Sequence, residues 1–167
     1  MSLDLHDLHL AETRQRGDYD SLVEALTPEL GSEFGQAIDW WCGIGRRLYE
    51  LPYWRVFAAV DNSGEAQAVI GLYRETGAPE DEFWVGWFGV APALRRKGIG
   101  TLLIEEISGR ARNLGGSVLK LYTQADNSRA LRFYEALGFR RVGTMADHGP
   151  PQAGSDGSEI ILARSLE

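Results

Sequence analysis

"ALRRKGIGTLL", residues 93–103, runs three consecutive cations into two closely spaced glycines and then straight into an apolar helical pattern. A helix start leaves several N–H groups without intrahelical partners and carries partial positive charge, so a junction of this kind is shaped to hold an anion. Gly98 and Gly100 would let a phosphate approach the backbone closely, and Arg95, Arg96 and Lys97 supply charge locally. On the tripeptide alone, a solvated basic turn is the favoured reading, because short basic clusters are common. Two familiar phosphate loops are excluded. Leu103 stands where G-x-G-x-x-G needs its third glycine, and the glycine, lysine and Ser/Thr of a P-loop do not occur in order.

Working outward, the residues before the junction, "EFWVGWFGV" (82–90), read as a strand whose Gly86 and Gly89 mark a bulge or a close backbone approach. Asp61-Asn62-Ser63-Gly64 joins two β-rich runs near 54–60 and 66–76, which predicts an antiparallel hairpin with 82–90 as its third strand. After the junction, Ile99, Leu102, Leu103, Ile107, Ala111 and Leu114 share one helical face up to Gly115-Gly116. "SVLKLYT" (117–123), "NSRALRFYEAL" (127–137), "FRRVGTM" (139–145) and "SEIILARSL" (158–166) then alternate strand, helix, strand, strand. Upstream, the pattern predicts a strand near Asp7 to Thr13 and a helix from Asp18 to Leu26. A second helix opens at Thr27-Pro28-Glu29 and carries Phe34, Ile38, Trp41, Ile44 and Leu48. The Gly/Pro-rich stretch between Met145 and Ser158 is a loop and a candidate lid. The fold class is α+β, with a mostly antiparallel sheet of about seven strands and about four helices.

The 167 residues, 44% of them hydrophobic, suffice for one core, so a single domain over 1–167 is expected. A net charge of −7 argues against nucleic acid as a partner, and any anion site must be local. Cys42 is the only cysteine, which excludes an internal disulfide and fits a reducing compartment. No apolar run is long enough to span a membrane, and "MSLDLHDLHL" is too acidic for a signal peptide, so a cytoplasmic protein is expected. His6, His9 and His148 have no metal-ligand spacing, and no metal is predicted.

At this point the residues resemble the GCN5-related N-acetyltransferase (GNAT) superfamily. Arg95-Arg96-Lys97-Gly98-Ile99-Gly100 matches that family's acyl-CoA loop, Arg/Gln-x-x-Gly-x-Gly/Ala, and "FGVAPALR" is similar to the strand that leads into it. "NSRALRFYEALGF" (127–139) is similar to a second family block, with Asn127, Ala130, Tyr134, Glu135, Gly138 and Phe139 in place. The two blocks cover about residues 84–143.

The resemblance implies an acetyl-CoA-dependent N-acetyltransferase that acts on a primary amine of a small molecule or peptide. Acetyl-CoA would be the co-substrate, and homodimers are frequent in the family. The N–H groups from Arg95 to Gly100, with Thr101 following, would hold the CoA pyrophosphate. The pantetheine arm would run beside Phe88, Gly89 and Val90, and the N–H of Val90 or of a neighbour at a bulge would face the thioester oxygen. Asn127 would contact pantetheine, although Asn before a helix is also a good N-cap. Tyr134 would protonate the leaving thiolate, although it also fits an amphipathic stripe with Ala130, Leu131 and Leu137.

The general base does not carry over, because an ungapped count puts Trp84 at the family's glutamate. Glu82, two positions earlier on the same strand face, is the first candidate; Glu75 and a water relay are alternatives. The tryptophan also keeps open an acyl-CoA-binding sensor that does not catalyse, and the acyl group could be longer than acetyl. Trp40, Trp41 and Trp54 are read as core residues rather than an aromatic wall for a cationic amine.

Overall fold

In the computed structural model, which describes residues 9–11, 15–45, 47, 50–148 and 157–167, the predicted hairpin is closed by one carboxylate. Asp61 accepts hydrogen bonds from the N–H of Ser63 (2.9 Å) and of Glu65 (3.1 Å), from Ser63 Oγ (2.6 Å) and from Gln67 Nε2 (3.0 Å). This side chain fixes the turn between β2 (Tyr53–Val60) and β3 (Ala66–Arg74), and β4 (Glu82–Val90) continues the meander. β1 (His9–Ala11), inside the strand predicted at 7–13, pairs with β2 at its outer side. Beyond β4 come β5 (Val118–Thr123), β6 (Arg140–Thr144) and β7 (Ile160–Ser165). The sheet order is β1-β2-β3-β4-β5-β7-β6, and only β4 and β5 run parallel.

Each face of the sheet is covered by its own helices. α1 (Asp20–Leu30) and α2 (Glu33–Trp41) bury Leu22, Leu26, Phe34, Ile38 and Trp41 against Val56, Ala58 and Val69. α3 (Ile99–Asn113) places Leu103, Ile104 and Ile107 on the opposite face with Ile70, Leu72 and Leu119, and α4 (Ser128–Ala136) packs Leu131, Phe133 and Tyr134 there as well.

The first helical region departs from expectation. Asp18 lies in a 3₁₀ turn (Arg16–Tyr19), and Thr27-Pro28-Glu29 continues α1 instead of opening a new helix. Pro28 lies inside this last stretch, where it lacks the N–H that would bond Glu24 O, and the chain breaks at Gly31, whose φ of 83° ends the helix with its N–H on Thr27 O. α2 stops at Trp41, so Ile44 is exposed, and Leu48 lies outside the described residues. Of the predicted 145–158 loop, Met145–His148 forms a helical turn, α5, and residues 149–156 lie outside the described residues.

A bulge in β4 shapes the rest. The register pairs Gly71 with Gly86 but Val69 with Gly89, so Trp87 and Phe88 together oppose Ile70. Trp87 takes φ of 38°, a value that a bulky side chain adopts only under constraint from its surroundings. On the other side of β4, pairing with β5 ends at Trp84–Lys120. The segment 85–90 therefore leaves β5 and frees one strand edge, as a bulge that bends its strand should do.

Burial raises the Asp61 carboxyl pKa, but its bonds from Ser63, Glu65 and Gln67 outweigh this and leave it below its ordinary value of 3.8. A lowered folded value means that the stabilisation is complete above the ordinary pKa and is lost as pH falls through the folded one. Asp61→Ala is expected to cost about 1–2 kcal/mol at pH 7. The gap to wild type should close as pH falls below 3.8 in denaturant titrations.

Candidate active site

The freed edge of β4 forms one wall of a cavity of about 950 Å³ that residues from both faces of the sheet line. Its first end is the quoted junction. Gly98, the N-cap of α3, has φ of 83° with open space around it, and Arg96 has φ of 63°. Glycine is thus required at 98 by backbone conformation and not by crowding. At Gly100 the reason differs, because an added Cβ would lie 3.2 Å from the Phe133 ring and 3.4 Å from Phe88. No side chain caps α3, so the N–H groups of Ile99, Gly100 and Thr101 face this end without a capping acceptor.

The three cations divide their roles. Arg95 turns back: its Nε donates to Val90 O (3.1 Å) and its Nη2 pairs with Glu29 of α1 (2.8 Å). Arg96 lines the cavity, whereas Lys97 is outside its lining. Two cations that the sequence reading passed over, Arg129 and Arg132 of α4, line it instead. Their three-residue spacing after Asn127 was the available signal.

Along β4 the hydrogen-bond directions follow from the ladder. The N–H of Ala91 donates to Gln67 O (2.8 Å), so alternation turns the N–H and C=O of Val90 away from β3 and toward the gap. Phe88 and Val90 direct their side chains to the α3 and α4 face. Gly86 and Gly89 have protein neighbours of their own: a Cβ at 86 would meet the Trp54 and Tyr73 rings at 3.2 Å, and one at 89 would meet Leu26 Cδ1 at 2.6 Å. Close approach explains both glycines, and the approaching groups are side chains of α1, β2 and β3.

Across the gap, Asn127 caps α4, its Oδ1 accepting from Ala130 N at 3.2 Å, and it also lines the cavity. Its amide NH₂ is left to point elsewhere. Tyr134 lies among Phe88, Phe133 and Phe139 with ring centroids 5.2–6.5 Å apart. Burial pushes its phenol well above the ordinary pKa of 10, so the group stays protonated and can only donate or accept a hydrogen bond near neutrality.

The proposed base is not at the cavity. Glu82 is 7% exposed, with Oε1 accepting from Trp84 Nε1 (3.0 Å) and Oε2 paired with Lys120 (2.7 Å), and it is not among the lining residues. Trp84 is fully buried and also off the lining. Glu75 is paired with His148 Nε2 at 2.7 Å, and neither lines the cavity. The far end is formed by Leu51, Trp54, Tyr73, Tyr122, Gln124 and Glu159. Trp41 is core, as read, but Trp54 is a wall of this chamber, backed by Trp40 at 5.4 Å. Among the described residues no cluster of three or more His, Cys, Asp or Glu is arranged for a metal ion, and no helix is long and apolar enough to cross a membrane.

Comparison with known proteins agrees with this geometry. N-alpha-acetyltransferase RimI of Mycobacterium tuberculosis is 34% identical over 87 residues, which is 52% of this chain and 53% of the relative, so the chain spans about half of that protein. The ribosomal protein bS18-alanine N-acetyltransferase of Salmonella typhimurium is 28% identical over 128 residues, 72% of this chain and 85% of the relative. The crystal structure of a GNAT-family protein from Desulfovibrio desulfuricans superposes with a TM-score of 0.74 at 19% identity, covering 96% of this chain and 99% of that one, which is a likeness of fold. A model of the acetyltransferase (GNAT) family matches residues 19–139, well over half the length, and the chain belongs to that family.

Proposed function

We propose that this protein is an acetyl-CoA-dependent N-acetyltransferase that passes an acetyl group to a primary amine by direct attack on the thioester. The observation that carries this reading is the continuity of the cavity. It runs from an uncapped helix start flanked by arginines, along the strand edge that β5 leaves after Trp84, to an aromatic and acidic chamber. The first end suits a pyrophosphate, the edge suits an extended arm bearing amides, and the chamber suits a cation. The same reading sets the protein in a reducing cytoplasm, consistent with the lone Cys42.

Acetyl-CoA would supply the activated acetyl group; the chain supplies position and charge. The N–H groups of Ile99, Gly100 and Thr101, with Arg96, Arg129 and Arg132, hold the diphosphate. Arg95 serves the loop indirectly by tying it to Val90 and α1. The Val90 N–H and the Asn127 amide hold the arm. Phe88, at the bulge, lies two residues farther from the loop than Val90, nearer the chamber, and its N–H is the better donor to the oxyanion that develops on the thioester carbonyl. Tyr134 stabilises the departing sulfur by a hydrogen bond. A phenol pushed above its ordinary value is a poor source of a full proton for a thiolate, whose own pKa is near 8.5. Trp84, buried and off the cavity, gives no support to a non-catalytic sensor.

Thermal unfolding tests the cofactor. At acetyl-CoA near one hundred times its Kd, wild type should gain roughly 5–10 °C in Tm. Arg129→Glu combined with Arg132→Glu, which reverses two exposed charges that line the cavity, should fold and lose most of that gain. Absence of any shift in wild type at millimolar ligand would remove the reading.

A second expectation concerns Tyr134→Phe. The ring cluster survives this change, so the Tm shift with acetyl-CoA should persist while kcat for an amine falls about 10²-fold. An unchanged kcat in a thiol-release assay would take Tyr134 out of the chemistry.

A further inference from the structure

Resting on that reading of the site, we infer that Glu159 is the carboxylate that receives the acceptor's ammonium group and takes its proton, which makes the acceptor a cationic primary amine. Glu159 immediately precedes β7 and is 3% exposed, yet it lines the cavity. Burial of a carboxylate is costly unless charge or hydrogen bonds compensate it, and such groups mark functional sites more often than ordinary surface acids do. The fold holds it firmly. Its backbone C=O accepts from Met145 N at 2.8 Å, and Gln124 Nε2 donates to Oε1 at 3.3 Å. Gln124 follows β5, so one side chain fixes the carboxylate from the strand beside it.

The neighbours on this end favour a cation. Tyr73, Trp54 and Tyr122 present aromatic rings, and the cations lining the cavity, Arg95, Arg96, Arg129 and Arg132, belong to the loop and to α4. An ammonium entering from this side meets aromatic side chains and one carboxylate, a combination that suits a positive charge through ion pairing. Of the other acids, Glu29 lines the cavity at the loop end, where it pairs with Arg95, while Glu82, held by Lys120 and Trp84, and Glu75, held by His148, do not line it.

The proton balance is complete. An ammonium R–NH₃⁺ gives one proton to the Glu159 carboxylate and becomes a nucleophile. Attack forms the N–C bond and breaks the C–S bond, and the second proton lost by nitrogen ends on the thiol. Glu159 returns its proton to solvent.

The test compares wild type with Glu159→Gln on three acceptors: an alkylamine, a short peptide with a free α-amine, and methoxyamine, which is already neutral at pH 7. The expected result is a loss of about 10²-fold or more in kcat/KM for the two ammonium acceptors and a much smaller loss for methoxyamine. Whichever ammonium acceptor wild type turns over faster identifies the source of the amine. Equal losses on all three, or none, would overturn the inference. The Tm shift with acetyl-CoA, measured on both proteins, separates the two levels: no shift in wild type removes the acetyltransferase reading, whereas a retained shift with unselective loss removes only the role of Glu159. Should Glu159→Gln fail to fold, wild type decides, because an alkyltrimethylammonium ion should compete with the amine and not with acetyl-CoA. Failure to compete would equally overturn the inference.

Discussion

The site depends on a single mismatch of register. One extra residue in β4, taken up at Trp87, keeps the ladder to β3 intact while the ladder to β5 ends at Trp84. A strand with one satisfied edge and one free edge results, inside a sheet and not at its margin. Backbone groups there retain partners only if something else supplies them, and Arg95 supplies one by donating to Val90 O. The strain of an aromatic residue at positive φ is held by burial on both sides, with Trp87 against Phe34 at 5.7 Å and Phe88 in the cluster with Phe133 and Tyr134.

The bulge also changes which residues share a face. Before it, Trp84 and Gly86 look toward Tyr73 and Trp54; after it, Trp87 and Gly89 lie on that same face, against Phe34 and Leu26, and Val85, Phe88 and Val90 look the other way. A count along the sequence assumes strict alternation, which is why it serves well up to residue 86 and fails beyond it.

Much of the fold is legible in the sequence because its turns need particular residue types. Asp61 in the hairpin, Gly98 at the start of α3 and Asn127 at the start of α4 each announce a backbone conformation or a cap, and each stands where the pattern puts it. The break between α1 and α2 was misread for a related reason: Pro28 suggests a helix start, but Gly31 provides the positive φ that ends one. The acids were harder. Glu82 is held by Lys120, thirty-eight positions away, and the burial of Glu159 depends on the antiparallel return of β7 beside β5. No local pattern marks either fact, since both partners are brought in by strand order. Arg129 and Arg132 were legible in principle, as two cations three residues apart after a cap, but nothing in the helix alone says which side its arginines face.

The cavity is lined on one side of the sheet by Leu26, Leu30 and Trp54 and on the other by Ile99, Phe133 and Tyr134. Its walls therefore come from two packing layers, at the point where β4 and β5 part. Anything that fills such a cleft touches both layers at once, so that occupancy would tie together two halves of the core that otherwise meet only through the sheet.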